Sequence, residues 1–281
     1  MEAKVLIVAK TPAVDRIAAE DRARLVAAGA ANADRLADAA ESHRAGLAAV
    51  RSALAGACLR EVRVTELAPG DGRGADLVVT VGGDGTVFTA NLLATDAPFI
   101  TVNSDPVGSV GHYTRCKVAD FAERFAAWRS GQHRIEPLPR LAVRGDGGVH
   151  RFLNDCLFTS RNPAALTRLV LECPEGRELQ RSSGVWVATA AGSTGAIRSA
   201  GSTPLPDGRE PALLWRVREP FLGLGAPQLI EGCQRPPAWL RLTAAMPGCA
   251  LFLDGPNITV PLRPGETVAI SAASEPLRLV V

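Results

Sequence analysis

Lysine is scarce in this chain of 281 residues, because Lys4, Lys10 and Lys117 are the only ones while Lys+Arg total 31. Arginine therefore carries almost all the positive charge, and a site that needs a lysine to hold phosphate groups has few candidates. Asp+Glu total 29, which leaves a net charge of +2. So balanced a charge argues against intrinsic disorder and against a dedicated nucleic-acid-binding protein.

Long apolar runs and paired cysteines are also missing. No run of about 18 apolar residues occurs, so the sequence predicts no membrane-spanning helix, and its first residues are not typical of a signal peptide. The six cysteines form no CxxC pair, which favours reduced, buried thiols over zinc ligands or disulfides. The four histidines show no metal-ligand spacing. We therefore expect a cytoplasmic protein that engages neither membrane nor nucleic acid.

The first 131 residues alternate strand-like and helix-like segments. Residues 4–9, 76–81 and 99–102 are largely apolar, as in buried parallel strands, and residues 62–67 are a further strand candidate. An Ala- and Arg-rich segment from about 18 to 54 predicts one or two helices, broken near Gly29 or Gly46. This alternation predicts an open parallel sheet in a Rossmann-like α/β domain over residues 1–131.

From residue 132 to about 264 the helical periodicity mostly disappears. Short apolar segments, among them residues 149–159, 185–190 and 213–217, lie between Gly- and Pro-containing turns. This pattern predicts an antiparallel β-rich domain, in which only residues 194–200 have a helical pattern.

The GGDGT loop, which follows the apolar residues 76–81, is the most informative motif. It consists of Gly82, Gly83, Asp84, Gly85 and Thr86. In open α/β sheets ligands lie beyond the carboxyl ends of strands, and glycines let backbone N–H groups approach an anion closely. The loop thus predicts a phosphate site without a lysine, where Asp84 could bind a metal or take a proton from a hydroxyl. A tight turn capped by Asp84 is the alternative.

Three other segments place polar side chains at strand ends. Asn154 and Asp155 interrupt an apolar run, and an amide there suits ribose hydroxyls or an adenine edge, with a β-bulge or turn as the alternative. Residues 182–195 lead a buried strand into a Gly-Ser-Thr turn, which could hold a phosphate or ribose or merely cap a helix. Asp254 opens an Asp-Gly-Pro-Asn segment, for which a hairpin turn is the obvious interpretation.

In order and spacing, these motifs resemble those of the NAD kinase family. The family has Gly-Gly-Asp-Gly-Thr, Asn-Glu/Asp and Thr-x-x-Gly-Ser-Thr, and this chain has the GGDGT loop, Asn154-Asp155 and residues 189–194 (TAAGST). Lipid kinases and phosphofructokinases share only the first motif. The resemblance covers about residues 4–281. It implies an α/β domain, a β-rich domain over residues 132–264, and a C-terminal segment, about 265–281, that returns to the first domain.

The resemblance also implies an activity: transfer of the γ-phosphate of ATP, accompanied by Mg²⁺, to the 2′-hydroxyl of the adenosine ribose of NAD(H). Asp84 is then the general base, and the Mg²⁺ comes with ATP rather than from protein ligands. Candidates for positioning phosphates are Gly82, Gly83, Gly85, Thr86 and Asn103. Candidates for binding NAD are Asn154, Asp155, Ser183, Thr189, Ser193 and Thr194. Further candidates are Ser104, Asp105, His112, Arg218 and Asp254. A homodimer or homotetramer is expected.

The chain departs from the family pattern at three places. Ser183 stands where the family has an Asp on the nicotinamide side. Gly195-Ala196 replaces Ala-Tyr, so the aromatic support for adenine is missing there. Residues 103–112 (NSDPVGSVGH) replace Asn-x-Gly-x-Leu-Gly-Phe. These variants are similar to a diverged branch that includes the mitochondrial-type NAD kinases.

Two other functions stay open at this point. The first is a lipid or sugar kinase with the same GGDGT loop, against which the Asn154-Asp155 pair and the Gly-Ser-Thr segment argue. The second is a catalytically weak NAD(H)-binding regulator. Asp84 argues against it, because a protein that only binds gains nothing from a buried carboxylate beside phosphates.

Overall fold

The computed structural model describes residues 2–93, 95–223 and 227–281. The chain divides into two compact units. The first contains the residues up to Glu136 together with Arg278–Val281, and the second contains Pro137–Leu277. None of the helices among the described residues is long and apolar enough to cross a membrane.

A largely parallel sheet forms the centre of the first unit. Its strands are β1 (Lys4–Ala9), β2 (Cys58–Arg63), β3 (Leu77–Gly82), β4 (Phe99–Asn103), β5 (Cys116–Lys117), β6 (Ile135–Leu138) and β19 (Leu277–Val280). The spatial order is β2-β1-β3-β4-β19-β6, with β5 also paired to β4. Every residue of β3 is buried, as its largely apolar sequence predicts.

The α-helices in the described part of this unit are α1 (Ala13–Arg16), α2 (Ala19–Ala27), α3 (Ala33–Ala53), α4 (Asp84–Ala90) and α5 (Phe121–Arg129). The predicted break between α2 and α3 lies at Gly29, whose φ of 68° suits the left-handed conformation that follows many helices. The Asn32 side chain then caps α3 by accepting from Arg35 N. Buried residues recur at helical spacing along α3, from Ala40 to Val50, so one face of this helix packs on the unit's core.

Two six-stranded antiparallel sheets form the second unit. The first sheet has the order β11-β10-β15-β18-β7-β8, and the second has the order β14-β13-β12-β9-β16-β17. The strands are β7 (Leu141–Gly145), β8 (Gly148–Phe152), β9 (Asp155–Ser160), β10 (Thr167–Cys173), β11 (Gly176–Ser182), β12 (Val185–Thr189), β13 (Leu213–Val217), β14 (Glu231–Gln234), β15 (Trp239–Ala244), β16 (Cys249–Leu253), β17 (Ile258–Leu262) and β18 (Thr267–Ala272). Among the described residues of this unit, the α-helix is the short α6 (Ala196–Ser199).

Apolar side chains from both sheets share a single core in this unit. Phe152 and Leu240 come from the first sheet, and Phe158, Trp215 and Leu251 come from the second, all of them nearly inaccessible to solvent. This packing is that of a β-sandwich. The predicted combination of an α/β unit with an antiparallel β-rich unit is therefore confirmed.

Three segments differ from the sequence prediction. The strand expected at residues 62–67 is β2, which starts at Cys58 and is mostly exposed along the edge of the sheet, so it lacks an apolar pattern. The run 149–159 forms two strands in different sheets, because the chain crosses from β8 to β9 at Leu153 and Asn154. Of the C-terminal segment expected to return, β18 pairs with β15 and β7 in the second unit, and it is β19 that joins β4.

Candidate active site

Asp84 lies where β3 ends and α4 begins, and its carboxylate is held by a remote loop. Oδ1 accepts the backbone N–H of Tyr113 at 2.7 Å, and Oδ2 accepts that of His112 at 2.9 Å. Two main-chain donors fix the orientation of the carboxylate. They also tie residues 112–113 to the start of α4.

The close packing of the GGDGT loop explains why position 82 is a glycine. A Cβ on Gly82 would lie 2.0 Å from Oγ1 of Thr86, so a side chain at this position would displace the threonine. Thr86 is buried, and its N–H donates to Gly83 O at 3.0 Å. The predicted phosphate candidate Thr86 therefore closes the loop on itself, and Gly83 and Gly85 are its more accessible members.

Asn103 lies beside this loop because it pairs in register with Gly82 at the carboxyl ends of β4 and β3. Its Oδ1 accepts Asp105 N at 3.1 Å. Asp105 is buried and forms an ion pair with Arg35 at 3.3 Å. Ser104 is buried against His43, with 3.0 Å between its Oγ and the imidazole Nδ1. Asn103 therefore borders the loop, whereas Ser104 and Asp105 hold the chain behind it.

Tyr113, the only tyrosine of the chain, is a residue of this region that the motifs did not reveal. Its ring is buried and meets Phe88 of α4 edge-on, at a centroid distance of 4.8 Å. The His112 side chain is exposed, so this predicted candidate contributes its backbone N–H to Asp84. Every residue except proline has a main-chain N–H, so the sequence motifs could not indicate this contact.

In the second unit, Asn154 and Asp155 occupy the crossing from β8 to β9. Asn154 Nδ2 donates to Asp155 Oδ2 at 2.9 Å, so the two side chains act as a pair. Asp155 is buried, and burial raises its pKa to about 6.

Asp254 holds this crossing in place from the turn between β16 and β17. Its carboxylate accepts Leu153 N at 2.9 Å and Asn154 N at 2.7 Å, and its own N–H donates to Asp155 O at 2.8 Å. Burial raises the pKa of Asp254 to about 7, although the two backbone donors act in the opposite direction. The predicted hairpin turn is present, and its first residue also positions Asn154 and Asp155.

The segment from Thr189 to Gly195 packs directly on the same crossing. Thr189 Oγ1 donates to Leu153 O at 2.7 Å and accepts Gly192 N at 3.0 Å. A Cβ on Gly192 would fall 1.9 Å from Asn154 O, and one on Gly195 would lie 3.6 Å from Asp155 Oδ2. The structure therefore brings three of the predicted segments together: 154–155, 189–195 and 254.

The hydroxyl groups of this segment differ in accessibility. Ser193 is buried, donates to Ala190 O at 2.6 Å and accepts Leu205 N at 3.0 Å. Thr194 is exposed. The hydrogen bonds of Thr189 and Ser193 thus shape the backbone, and Thr194 presents its side chain to the surface.

Ser183 and Arg218 lie at the other end of β12 from Thr189. Ser183 Oγ donates to the Glu219 carboxylate, and Arg218 N donates to Gly184 O at 2.8 Å. At about 3.3 Å per strand residue, Ser183 is roughly 20 Å from Thr189 along the strand. The structure therefore does not bring Ser183 and Arg218 to Asn154 and Asp155 within one chain.

Two solved structures have a similar fold. The fold is similar to that of an NAD kinase from Archaeoglobus fulgidus solved in complex with ATP, with a TM-score of 0.66 and 18% identity over 99% of this chain and 93% of that one. It is also similar to a yeast NADH kinase solved with NADH, with a TM-score of 0.68 and 17% identity over 100% of this chain and 84% of that one. At such identities the likeness defines the fold class.

Sequence relatives define the family. Residues 29–132 match the ATP-NAD kinase N-terminal domain. An NAD kinase of Methanoregula boonei is 30% identical over 73% of this chain and 74% of its own length. A probable NADH kinase of Oryza sativa is 29% identical over 73% of this chain and 71% of its own length. The chain belongs to the NAD kinase family.

The contact of Gly192 with Asn154 predicts that Gly192→Ala destabilises the protein. The new methyl group must displace the Asn154 backbone, so we expect a loss of about 1–3 kcal/mol in unfolding free energy, measured by urea denaturation. Gly147→Ala is the matched control, since its Cβ would lie 3.8 Å from Val260, and its effect should stay within about 0.5 kcal/mol. Equal midpoints for the two variants would contradict the packing described.

The burial of Asp254 predicts a pH dependence of stability. An unfolded Asp titrates near pH 4, whereas the native pKa is about 7, so between these values the native state holds a proton that the unfolded state has released. The contribution of Asp254 to unfolding free energy therefore falls as pH rises from about 4 to 7. Denaturation series across this range should give a more negative slope for the wild type than for Asp254→Asn.

The exposed Asp146→Asn serves as the control for that comparison. It should leave the wild-type slope unchanged. Parallel curves for wild type and Asp254→Asn would show that Asp254 ionises in the native state as it does in water.

Proposed function

We propose that this protein transfers the γ-phosphate of ATP to the 2′-hydroxyl of the adenosine ribose of NAD(H), which yields NADP(H). Membership of the NAD kinase family supports the reaction class. One observation supports a catalytic role for Asp84: two backbone N–H groups fix its carboxylate at the carboxyl end of β3. Ligands of open α/β sheets bind at this edge.

Asp84 acts as the general base on the attacking hydroxyl. Each carboxylate oxygen accepts one backbone N–H and has a second lone pair to receive a proton. Phosphoryl transfer needs positioning and charge neutralisation more than covalent chemistry. A base held in one orientation next to the phosphate-binding loop meets the first need.

Gly83 and Gly85 position the phosphates through the GGDGT backbone. Thr86 N–H already donates to Gly83 O, whereas the N–H groups of Asp84 and Gly85, in the first turn of α4, have no acceptor within the helix, and Asn103 borders this turn. Within the described ranges, no group of three or more His, Cys, Asp or Glu side chains could hold a metal ion. Mg²⁺ enters as Mg-ATP, coordinated mainly by phosphate oxygens, as is usual for this ion.

Asn154 and Asp155 hold the adenosine part of the acceptor. Their side chains already hydrogen-bond to one another, and Gly195, which lies against both, leaves room that a side chain would fill. As a carboxylate, Asp155 accepts from ribose hydroxyls. The family relatives and this pair favour NAD(H) over a lipid or a sugar, and the fixed Asp84 favours an enzyme over a regulator.

We further propose a cytoplasmic homodimer or homotetramer. All six thiols are free, which suits a reducing compartment. Ser183, roughly 20 Å along β12 from Thr189, and its neighbour Arg218 are in this proposal assigned to the acceptor site of a second copy. Light scattering coupled to gel filtration measures the oligomeric state.

The role of Asp84 predicts that Asp84→Asn abolishes most turnover. Loss of the base should lower kcat by about 100- to 10,000-fold, measured as NADP(H) formed from Mg-ATP with NAD or NADH. Asp146→Asn, with the same change at an exposed turn, should retain wild-type kcat.

Near-wild-type NADP(H) formation by Asp84→Asn would overturn the general-base assignment. Wild-type protein that phosphorylates diacylglycerol or a sugar, but not NAD(H), would overturn the proposed function. Binding of NAD(H) without turnover would identify a regulator instead.

A further inference from the structure

His112 is fixed at both of its main-chain polar groups, directly beside the proposed general base. Its N–H donates to Asp84 Oδ2 at 2.9 Å, and its C=O accepts from the Arg115 guanidinium. Because both bonds hold the backbone, the imidazole starts from one defined position next to the carboxylate. The backbone contacts leave the ring itself without a role.

The imidazole ring packs on two further aromatic rings. It meets Tyr113 edge-on, with 5.1 Å between the ring centroids, and Tyr113 meets Phe88 edge-on at 4.8 Å. Tyr113 is buried and Phe88 is half-buried, whereas His112 is exposed. Within the described ranges, the ring nitrogens of His112 make no hydrogen bond and no ion pair. An imidazole that is supported by packing thus keeps its polar atoms available to a ligand.

The charges around Asp84 make such a donor useful. Neither the GGDGT loop nor the segment 103–113 contains a lysine or an arginine, and His112 is the one basic side chain of these two segments. Arg115, which binds the same backbone, is paired with Glu136 at 3.1 Å. Asp84 adds a negative charge where phosphates must also be accommodated. Phosphoryl transfer, however, depends on neutralising the charge of the transferring group.

We propose that His112 is a catalytic residue, whose imidazole N–H donates a hydrogen bond to an oxygen of the transferring phosphoryl group. This inference rests on the proposed function and adds a residue to its machinery. A neutral imidazole has one N–H to donate and an imidazolium has two, so either form can make this bond. A donor held in place before the reaction stabilises charge that develops in the transition state.

In the step itself, one bond forms and one bond breaks. The 2′-oxygen of the acceptor bonds to the γ-phosphorus, and the bond from that phosphorus to the bridging oxygen of ATP breaks. ADP leaves with the electron pair of the broken bond, and the proton of the hydroxyl passes to Asp84. His112 gives up no proton. It holds the base through its backbone and the phosphoryl group through its side chain.

The four histidines of the chain allow a test on the unaltered protein. Diethyl pyrocarbonate acylates exposed imidazoles, and peptide mass spectrometry separates the peptides that contain them. Mg-ATP and Mg-tripolyphosphate should each lower labelling of His112 at least about fivefold, because a phosphate oxygen that accepts its hydrogen bond shields the ring nitrogen. Labelling of His150, on β8 in the second unit, should stay the same.

Adenosine is the control ligand for this experiment, because it has the base and the ribose of ATP but no phosphate. It should leave the labelling of His112 unchanged. Protection by adenosine but not by Mg-tripolyphosphate would assign the ring to a nucleoside base. Equal labelling with and without each ligand would place His112 outside the site. Either result would overturn the proposal.

His112→Phe keeps an aromatic ring against Tyr113 and the backbone bond to Asp84, but it removes both ring nitrogens. Its kcat should fall about 100-fold, as expected when one donor to developing charge is lost, while KM for NAD(H) stays nearly unchanged. His112→Gln restores an N–H donor and should recover at least about tenfold of that loss. A purely structural ring would give the reverse order, because Phe preserves the packing and Gln does not.

His150→Phe makes the same change at a half-buried position of the second unit and should retain wild-type kcat. Equal midpoints of urea denaturation for the wild type and His112→Phe should show that the fold is intact. Wild-type kcat in His112→Phe overturns this inference and leaves the proposed function standing. A wild-type protein that makes no NADP(H), although Mg-tripolyphosphate still protects His112, overturns the proposed function alone.

Discussion

In each of the two units, the candidate residues depend on the same kind of interaction, the hydrogen bond from main-chain N–H groups to a carboxylate that is distant in sequence. Asp84 binds residues 112–113 in this way, and Asp254 binds Leu153 and Asn154. Hydrogen bonds that involve a charged partner are roughly twice as strong as neutral ones. Each carboxylate therefore fixes a stretch of irregular backbone that no strand pairing would hold.

In the second unit, the hydrogen bonds to Asp254 determine how the chain crosses from one sheet to the other. The crossing between sheets leaves Leu153 and Asn154 outside both ladders, and Asp254 satisfies their N–H groups. Thr189 and Gly192 then pack on the crossing from the other side. A buried carboxylate with a pKa of about 7 lowers stability near neutral pH. The protein nevertheless has Asp254 at this position, because its hydrogen bonds hold Asn154 and Asp155 in place.

Much of the fold could be predicted from the sequence, because buried strands such as β3 and β13 are mostly apolar. The edge strand β2 could not be placed correctly, since exposure removes the apolar pattern by which a strand is recognised. The position of the GGDGT loop also followed from its glycines. The roles of Tyr113 and Asp254 did not follow, because their partners are main-chain atoms or lie far away in sequence, 100 residues in the case of Asp254 and Asn154.

The place of β19 in the first sheet has a consequence for biosynthesis. This strand lies between β4 and β6, yet it is translated after the whole β-sandwich. On the ribosome, β5 can pair with the carboxyl end of β4, but the part of β4 around Phe99 stays exposed until β19 emerges. A chain that lacks β19 keeps this part of β4 unpaired, where chaperones or proteases can recognise it. The sheet that carries Asp84 thus closes only in chains whose sandwich has already been made.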